Sequence, residues 1–133
     1  MTDDLAALVG LMPFAASLGI ELEAAAAEEV RGRLAWRSDL CTTGGLLHGG
    51  ALMAFADSLG GVCAFLNLPA GASTATTSSS TVFLRGVRSG AVTGVARPLH
   101  VGRTAIAVVT ELADDAGRRV AQVTQTQAVL SPP

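Results

Sequence analysis

Apolar and polar residues alternate between residues 18 and 37, which is the pattern of antiparallel strands with one solvated face. The segment LGIELEAA would place Ile20, Leu22 and Ala24 on its apolar face. In the segment EEVRGRLAWR the apolar face comprises Val30, Gly32, Leu34 and Trp36. We therefore predict two strands before residue 40.

Four further segments have strand character and are separated by turn residues at 88–90, at Gly102 and at 114–117. These segments are TATTSSSTVFLR, AVTGVARPLHV, TAIAVVTELAD and RRVAQVTQTQAVL. Because they follow one another along the chain, the simplest arrangement is a four-strand antiparallel meander.

The segment from His48 to about Asn67 has no period of two and is rich in Ala, Leu and Met, which predicts a helix of roughly five turns. Being apolar on nearly all sides, it should lie buried across the sheet. A shorter helix is predicted over DDLAALVGL, capped by Thr2 and ended by Pro13. The fold class is therefore α+β.

With 133 residues, the chain is expected to be a single domain, 1–133. Half of the residues are apolar but only 4% are aromatic, so a lean core of Ala, Val and Leu suggests further burial against a second subunit. The acidic start, MTDDLAAL, does not resemble a secretory signal, and no apolar run is long enough to span a membrane. We expect a cytoplasmic protein with two free thiols and no membrane partner.

The net charge of −2 argues against nucleic-acid binding. Residues 58–110 nevertheless contain Arg85, Arg88, Arg97 and Arg103 and no acidic residue. This basic part could receive a small polyanion. It could equally reflect base composition, because the chain contains no lysine at all.

The predicted long helix contains one charged residue, Asp57, within LLHGGALMAFADSLGGVCAFLNLP. Burying a carboxylate is costly unless it is paired, so Asp57 is either on a solvated stripe or a working acid, base or nucleophile. At the helix start, Gly49 and Gly50 present free N–H groups that could form an oxyanion hole. The alternative is a glycine-rich helix start with His48 as an imperfect cap.

Gly49 and Asp57 lie about two turns apart, roughly 11–12 Å along one helix axis. One carbonyl group cannot meet both, so a shared site would need two antiparallel copies of the helix and hence a homodimer. Gly60 and Gly61 each cost the helix about 1 kcal/mol relative to Ala. Close approach of another element or of a ligand would explain them, and drift in a buried helix is the alternative.

The motif His48-Gly49-Gly50-x6-Asp57 resembles that of hotdog-fold acyl-CoA thioesterases of the PaaI type, named for phenylacetic acid degradation, and of 4-hydroxybenzoyl-CoA thioesterases. The resemblance covers nearly the whole chain. It implies a hotdog fold, in which an antiparallel β-sheet wraps a long buried central helix, and a homodimer that often forms a dimer of dimers. The Gly49 amide would polarise the thioester carbonyl, and Asp57 of the other subunit would act as nucleophile or general base. His48 would shape the helix start.

The chain departs from the family pattern at two positions. Thr42 stands where Asn or Gln commonly positions water or the thioester, and Gly61 stands where some relatives carry a hydroxyl. Ser58, or Thr76 in the next strand, is a candidate substitute for that hydroxyl. Arg103, after Gly102, is the candidate contact for a phosphate of coenzyme A.

The function implied is hydrolysis of an acyl-CoA thioester to a carboxylic acid and free CoA, without a cofactor or metal. The few His and Cys residues are too scattered for a metal site. One alternative is a non-catalytic acyl-CoA-binding hotdog dimer. Another is a hotdog hydratase or dehydratase, which needs a catalytic His that neither His48 nor His100 supplies well.

Overall fold

The computed structural model describes residues 4–132, in which short helices at the start of the chain lead into an antiparallel sheet and a long helix. The helices are α1 (Asp4–Gly10), α2 (Pro13–Ser17) and α3 (Gly49–Phe65). The strands are β1 (Glu21–Ala26), β2 (Glu29–Ala35), β3 (Ser73–Phe83), β4 (Ala91–Val101), β5 (Ala105–Ala113) and β6 (Arg119–Leu130). Every predicted strand is present, and α3 begins and ends within two residues of its predicted bounds.

Pro13 does not simply terminate the first helix, as the sequence had suggested. Helix α1 already ends at Gly10, and Pro13 opens α2, where its missing N–H is not needed and its fixed φ suits the first helical position. The predicted cap, Thr2, lies outside the described residues.

The strands are ordered β1-β2-β4-β5-β6-β3, with every neighbouring pair antiparallel. The predicted four-strand meander is therefore wrong in one respect, because β3 pairs with β6 and not with β4. Residues 84–90 are too long for a tight hairpin, and they carry the chain past β6 and β5 to the free edge of β2. Strand β3 is left at the edge of the sheet.

Helix α3 packs across one face of the sheet and forms the core with it. Phe55 and Leu59 of α3 are completely buried. They fit because Gly32 of β2 and Gly94 of β4 face each other beneath the helix. A Cβ at Gly32 would lie 2.6 Å from Leu59 Cδ2, and one at Gly94 would lie 2.5 Å from Leu59 Cδ1. This glycine pair lets the helix approach the sheet closely.

The alternation in β2 is as predicted, with Val30 and Leu34 buried and Arg31 exposed. In β1 the prediction fails at Ala24, which is exposed. A bulge between Leu22 and Ala24 adds one residue against β2 and reverses the alternation beyond it. No helix within residues 4–132 is long and apolar enough to cross a membrane.

Candidate active site

Asp57 lies on the one stripe of α3 that the sheet does not cover. Met53, Asp57 and Phe65 are exposed along this stripe, at intervals of four and eight residues, whereas Phe55 and Leu59 on the opposite side are buried. In a single chain Asp57 is thus exposed on a solvated stripe, which is the first of the two alternatives that the sequence left open, and exposure does not exclude the second, a working acid, base or nucleophile. Most neighbours of Asp57 in the sequence are apolar, but Asp57 itself faces solvent.

The Asp57 carboxylate is held by hydrogen bonds from two strands. Its Oδ1 atom accepts from the Thr76 hydroxyl of β3 at 3.2 Å and from Nε2 of Gln125 of β6 at 3.1 Å. Nε2 of Gln127 donates to Thr76 Oγ1 at 2.6 Å, so the proton of that hydroxyl is left for Asp57. Oδ2 accepts no hydrogen bond from residues 4–132. One carboxylate oxygen is therefore fixed while the other stays available.

Gln125 and Gln127 are the residues of this network that sequence analysis missed. Both are on the α3-facing side of β6 and are only 1% exposed. A signal was present in the sequence, because the strand face that begins Ala121, Val123 continues into two glutamines instead of further apolar residues. Buried amides are expected to have hydrogen-bond partners, and here the partners surround Asp57.

A bulge in β3 brings Thr76 into this network. Thr76 is opposite Gln127 and Ser78 is opposite Thr126, so Thr77 is the extra residue. Residues 74 and 76 before the bulge, and residues 79 and 81 after it, are opposite the α3-facing positions of β6. Without the extra residue the alternation would turn one of these two groups away from the helix.

The start of α3 leaves one backbone donor free. Nδ1 of His48 accepts from the Gly50 N–H at 2.8 Å, so His48 caps the helix. The Gly49 N–H has no acceptor within residues 4–132. The Phe83 ring lies beside Gly49, where an added Cβ would be 3.1 Å from Phe83 Cζ. A free amide at the positive end of a helix dipole can bind a carbonyl oxygen or an oxyanion.

A pocket of about 490 Å³ adjoins Asp57. Its walls come from α1, α2, the exposed stripe of α3, the first residues of β3 and one residue of β6, and most of these side chains are apolar. Asp57, Ser58, Gly61 and Thr76 all line it. The Ser58 hydroxyl donates to Ala54 O at 2.8 Å, so its proton is engaged within the helix. A Cβ at Gly61 would meet nothing within 4 Å.

The pocket brings together four of the predicted site residues but not the others. Gly49, Gly50 and His48 lie at the far end of the same helix. Thr42 is exposed in the loop before α3, where its N–H donates to Leu46 O at 2.8 Å, and it does not line the pocket.

The two adjacent glycines of α3 have different surroundings. Gly60 is buried, and a Cβ there would overlap Gln125 Oε1, so close approach explains this residue. Gly61 faces the open pocket instead.

The arginines of residues 58–110 do not form one patch. Arg97 makes an ion pair with Glu29, at 2.7 Å, and Arg88 donates to Gly44 O at 3.0 Å. Arg85 and Arg103 make neither an ion pair nor a side-chain hydrogen bond to the described residues. They lie at opposite ends of the sheet, because Arg85 follows β3 and Arg103 is in the turn between β4 and β5. Within one chain, a single phosphate cannot contact both.

Neither a reactive thiol nor a metal site is found beside α3 in the described part of the chain. Burial raises the pKa of the Cys63 thiol to about 11, which leaves almost no thiolate at neutral pH. Within residues 4–132, no group of three or more His, Cys, Asp and Glu side chains could hold a metal ion. Among the described residues that line the pocket, Asp57 is the only ionisable one.

The family of the chain follows from a comparison with known proteins. Residues 44–121, which include the start of α3, Asp57 and the bulge in β3, match the model of the Thioesterase superfamily. The chain belongs to this superfamily. The sequence-based assignment to a thioester hydrolase is thereby confirmed, and the hydratase and the non-catalytic binder are not favoured.

Two solved thioesterase structures share the whole fold, and a further thioesterase is similar in sequence. A variant of thioesterase PA1618 from Pseudomonas aeruginosa is 33% identical, with a TM-score of 0.90 over 98% of this chain and 96% of that one. The proofreading thioesterase EntH of Cronobacter sakazakii is 37% identical over 65% of this chain and 63% of its own. A hypothetical thioesterase protein of Streptococcus pneumoniae, solved with coenzyme A, is 23% identical, with a TM-score of 0.78 over 85% of this chain and 87% of that one. The hotdog fold is confirmed.

Proposed function

We propose that the protein hydrolyses acyl-CoA thioesters and that Asp57 is the catalytic acid/base or nucleophile. The observation that carries this proposal is the carboxylate at the edge of an apolar pocket, with Oδ1 held by two donors and Oδ2 uncommitted. An uncommitted carboxylate oxygen can take a proton from water or attack a carbonyl carbon directly. Ser58 does not compete for this role, because its hydroxyl donates within α3.

In the proposed reaction, the oxygen of water bonds to the acyl carbon and the C–S bond breaks. A proton from water passes through Asp57 and is delivered to the leaving thiolate, which gives free CoA and a carboxylic acid. If Asp57 attacks first, a mixed anhydride forms with loss of thiolate, and water then cleaves it to the same products. The Gly49 amide would stabilise the charge that develops on the carbonyl oxygen.

The proposed site is shared between two subunits of a homodimer. Gly49 and Asp57 are eight residues apart on one rigid helix, about 12 Å along its axis, so one chain cannot present both to the same thioester. Strand β3 also supports a dimer, since it is an exposed edge strand of eleven residues without charged side chains. Val82 and Phe83 at the end of this strand, and Leu84 directly after it, are each at least 50% exposed. Long uncharged edges usually find a partner. A dimer of dimers stays a prediction.

The proposed substrate carries a hydrophobic acyl group. The pocket beside Asp57 is lined mainly by apolar residues, among them Leu8, Met12, Phe14, Val62 and Phe65. Burial of an acyl chain there would be favourable by about 0.8 kcal/mol for each methylene. The PaaI-type resemblance is consistent with an aryl or medium-chain group, and a fold relative carries coenzyme A. Acetyl-CoA would leave most of the pocket empty.

A panel of acetyl-, hexanoyl-, decanoyl-, benzoyl- and phenylacetyl-CoA tests the proposal, with thiol release as the readout. We expect turnover of the larger acyl groups and little of acetyl-CoA. Asp57→Asn should lower kcat by at least about a hundredfold, the scale of losing a general base, while size-exclusion chromatography and circular dichroism stay unchanged. Ser58→Ala is the matched control and should keep kcat within a few-fold. Wild-type turnover by Asp57→Asn would refute the assignment of Asp57 as the catalytic acid/base or nucleophile.

A further inference from the structure

Gln125 connects Asp57 to an otherwise unexplained glycine of α3. Its side chain is 1% exposed, and Nε2 donates to Asp57 Oδ1 at 3.1 Å. The other end of the amide, Oε1, is buried and has no partner within residues 4–132. A buried acceptor without a partner is unfavourable, so some interaction of Gln125 has to offset it.

The orientation of the Gln125 amide is decided by Asp57. If the amide were reversed, its oxygen would face a carboxylate oxygen, and two acceptors would be in contact. With Nε2 towards the carboxylate, the amide makes a charge-assisted hydrogen bond, which is stronger than one between neutral groups. The unpartnered Oε1 is the consequence of this orientation.

Gly60 provides the space that this orientation needs. A Cβ at Gly60 would overlap Gln125 Oε1, so any other residue at this position would displace the amide. Glycine weakens a helix interior. The backbone at position 60 does not require a glycine, since φ there is not positive. Gly60 is explained by the space that the Gln125 side chain occupies next to it.

We propose that Gln125 and Gly60 together position Asp57 for catalysis, an inference that rests on the proposed function of Asp57. On an exposed helix stripe, an aspartate side chain would otherwise rotate freely between rotamers. Gln125 acts from the sheet, and Thr76 donates to the same oxygen from β3. Two donors on Oδ1 hold the carboxylate in one rotamer and leave Oδ2 for water or substrate. Gln125 is a positioning residue, since it touches Asp57 and does not line the pocket.

The test compares Gln125→Met with Thr110→Val. Methionine has a similar volume but no donor, and Thr110 is another fully buried polar residue facing α3, with a hydroxyl that has no partner in the described structure. We expect Gln125→Met to lower kcat roughly tenfold to a hundredfold, as a misplaced catalytic group does, with KM changed by less than about threefold. Thr110→Val should leave kcat within twofold. A kcat for Gln125→Met within twofold of wild type would overturn the proposal.

A double-variant experiment separates positioning from a general effect on the fold. In the Asp57→Ala background the amide has no carboxylate to hold, so adding Gln125→Met should cause no further loss of the residual activity. An equal fractional loss in both backgrounds would mean that Gln125 acts by another route and would refute the proposal. Gln125→Leu, which also lacks a donor, replaces Gln125→Met if the latter does not fold, and the same loss of kcat is expected.

Gly60→Ala gives an independent check, because it moves the amide without changing either polar group. We expect the same loss of kcat at constant KM, and an undiminished kcat would contradict the role of Gly60. The outcomes are distinguishable from a failure of the proposed function. If the wild-type protein turns over no thioester of the panel, the proposed function is wrong, and if Asp57→Asn keeps wild-type turnover, the catalytic role of Asp57 is wrong. If Asp57→Asn is inactive but Gln125→Met and Gly60→Ala are not impaired, only the positioning role fails.

Discussion

Two inactive variants of this protein should restore activity when they are mixed, because the proposed site takes one group from each subunit. Gly49→Pro removes the free N–H at the start of α3, and Asp57→Ala removes the carboxylate. The structure accommodates the proline. His48, before it, has φ −62° and ψ 135°, a conformation that suits a residue preceding proline, and position 49 is the first of the helix. The neighbouring Phe83 ring is half-exposed in the single chain, and its contact with position 49 is tested separately by the Gly49→Ala control.

The expected magnitude follows from the geometry of α3. Each residue of a helix advances about 1.5 Å, so Gly49 and Asp57 are about 12 Å apart and serve different sites. Random pairing of two variants in equal amounts makes half of the dimers mixed. In a mixed dimer one site has an intact Gly49 from one chain and an intact Asp57 from the other, while the second site has both lesions. About a quarter of the wild-type activity should therefore return.

The assay is thiol release from the best substrate of the panel, measured before and after subunit exchange. Two different affinity tags and native mass spectrometry would establish that mixed dimers have formed. Gly49→Ala is the matched control, because alanine meets the same Phe83 ring but keeps the N–H, and it should remain active alone. If mixed dimers form and no activity returns, the shared-site model is wrong. If Gly49→Pro is fully active by itself, the Gly49 amide has no part in the reaction.

Two further substitutions test how the substrate is recognised. Gly61→Leu should fill the open space next to Asp57. It should lower kcat/KM for decanoyl-CoA at least about tenfold more than for acetyl-CoA, since contacts with several methylenes are lost. Equal losses for the two substrates would mean that the acyl chain binds elsewhere. Arg103→Ala should raise KM for the CoA thioester by about tenfold and leave KM for a pantetheine thioester without the nucleotide unchanged, because a phosphate contact is removed. Arg97→Ala is the control, because the Arg97 guanidinium already pairs with Glu29. If only Arg85→Ala raises KM, the phosphate binds near the start of α3 and not at Arg103.

Much of the site was accessible from the sequence because its parts are close along the chain. His48, Gly49, Gly50 and Asp57 belong to one helix, so the spacing alone places the free amide and the carboxylate two turns apart. Period-two alternation predicted the first two strands, since it reports which side chains share a face, and strand-forming residues between turn signals predicted the other four. The fold class follows from these elements, because only a sheet offers enough apolar surface to cover so apolar a helix.

What remained hidden depends on contacts between residues far apart in the sequence. Alternation does not say which strands are neighbours, and the pairing of β3 with β6 is what brings Thr76 and Gln127 together. Single-residue bulges reverse the alternation without any local signal, which turned Ala24 outward and set the phase of β3. The sequence assigned no role to Gln125, which is buried between the sheet and α3. Its role emerges only there, because the hydrogen bond to Asp57 joins residues that are 68 positions apart.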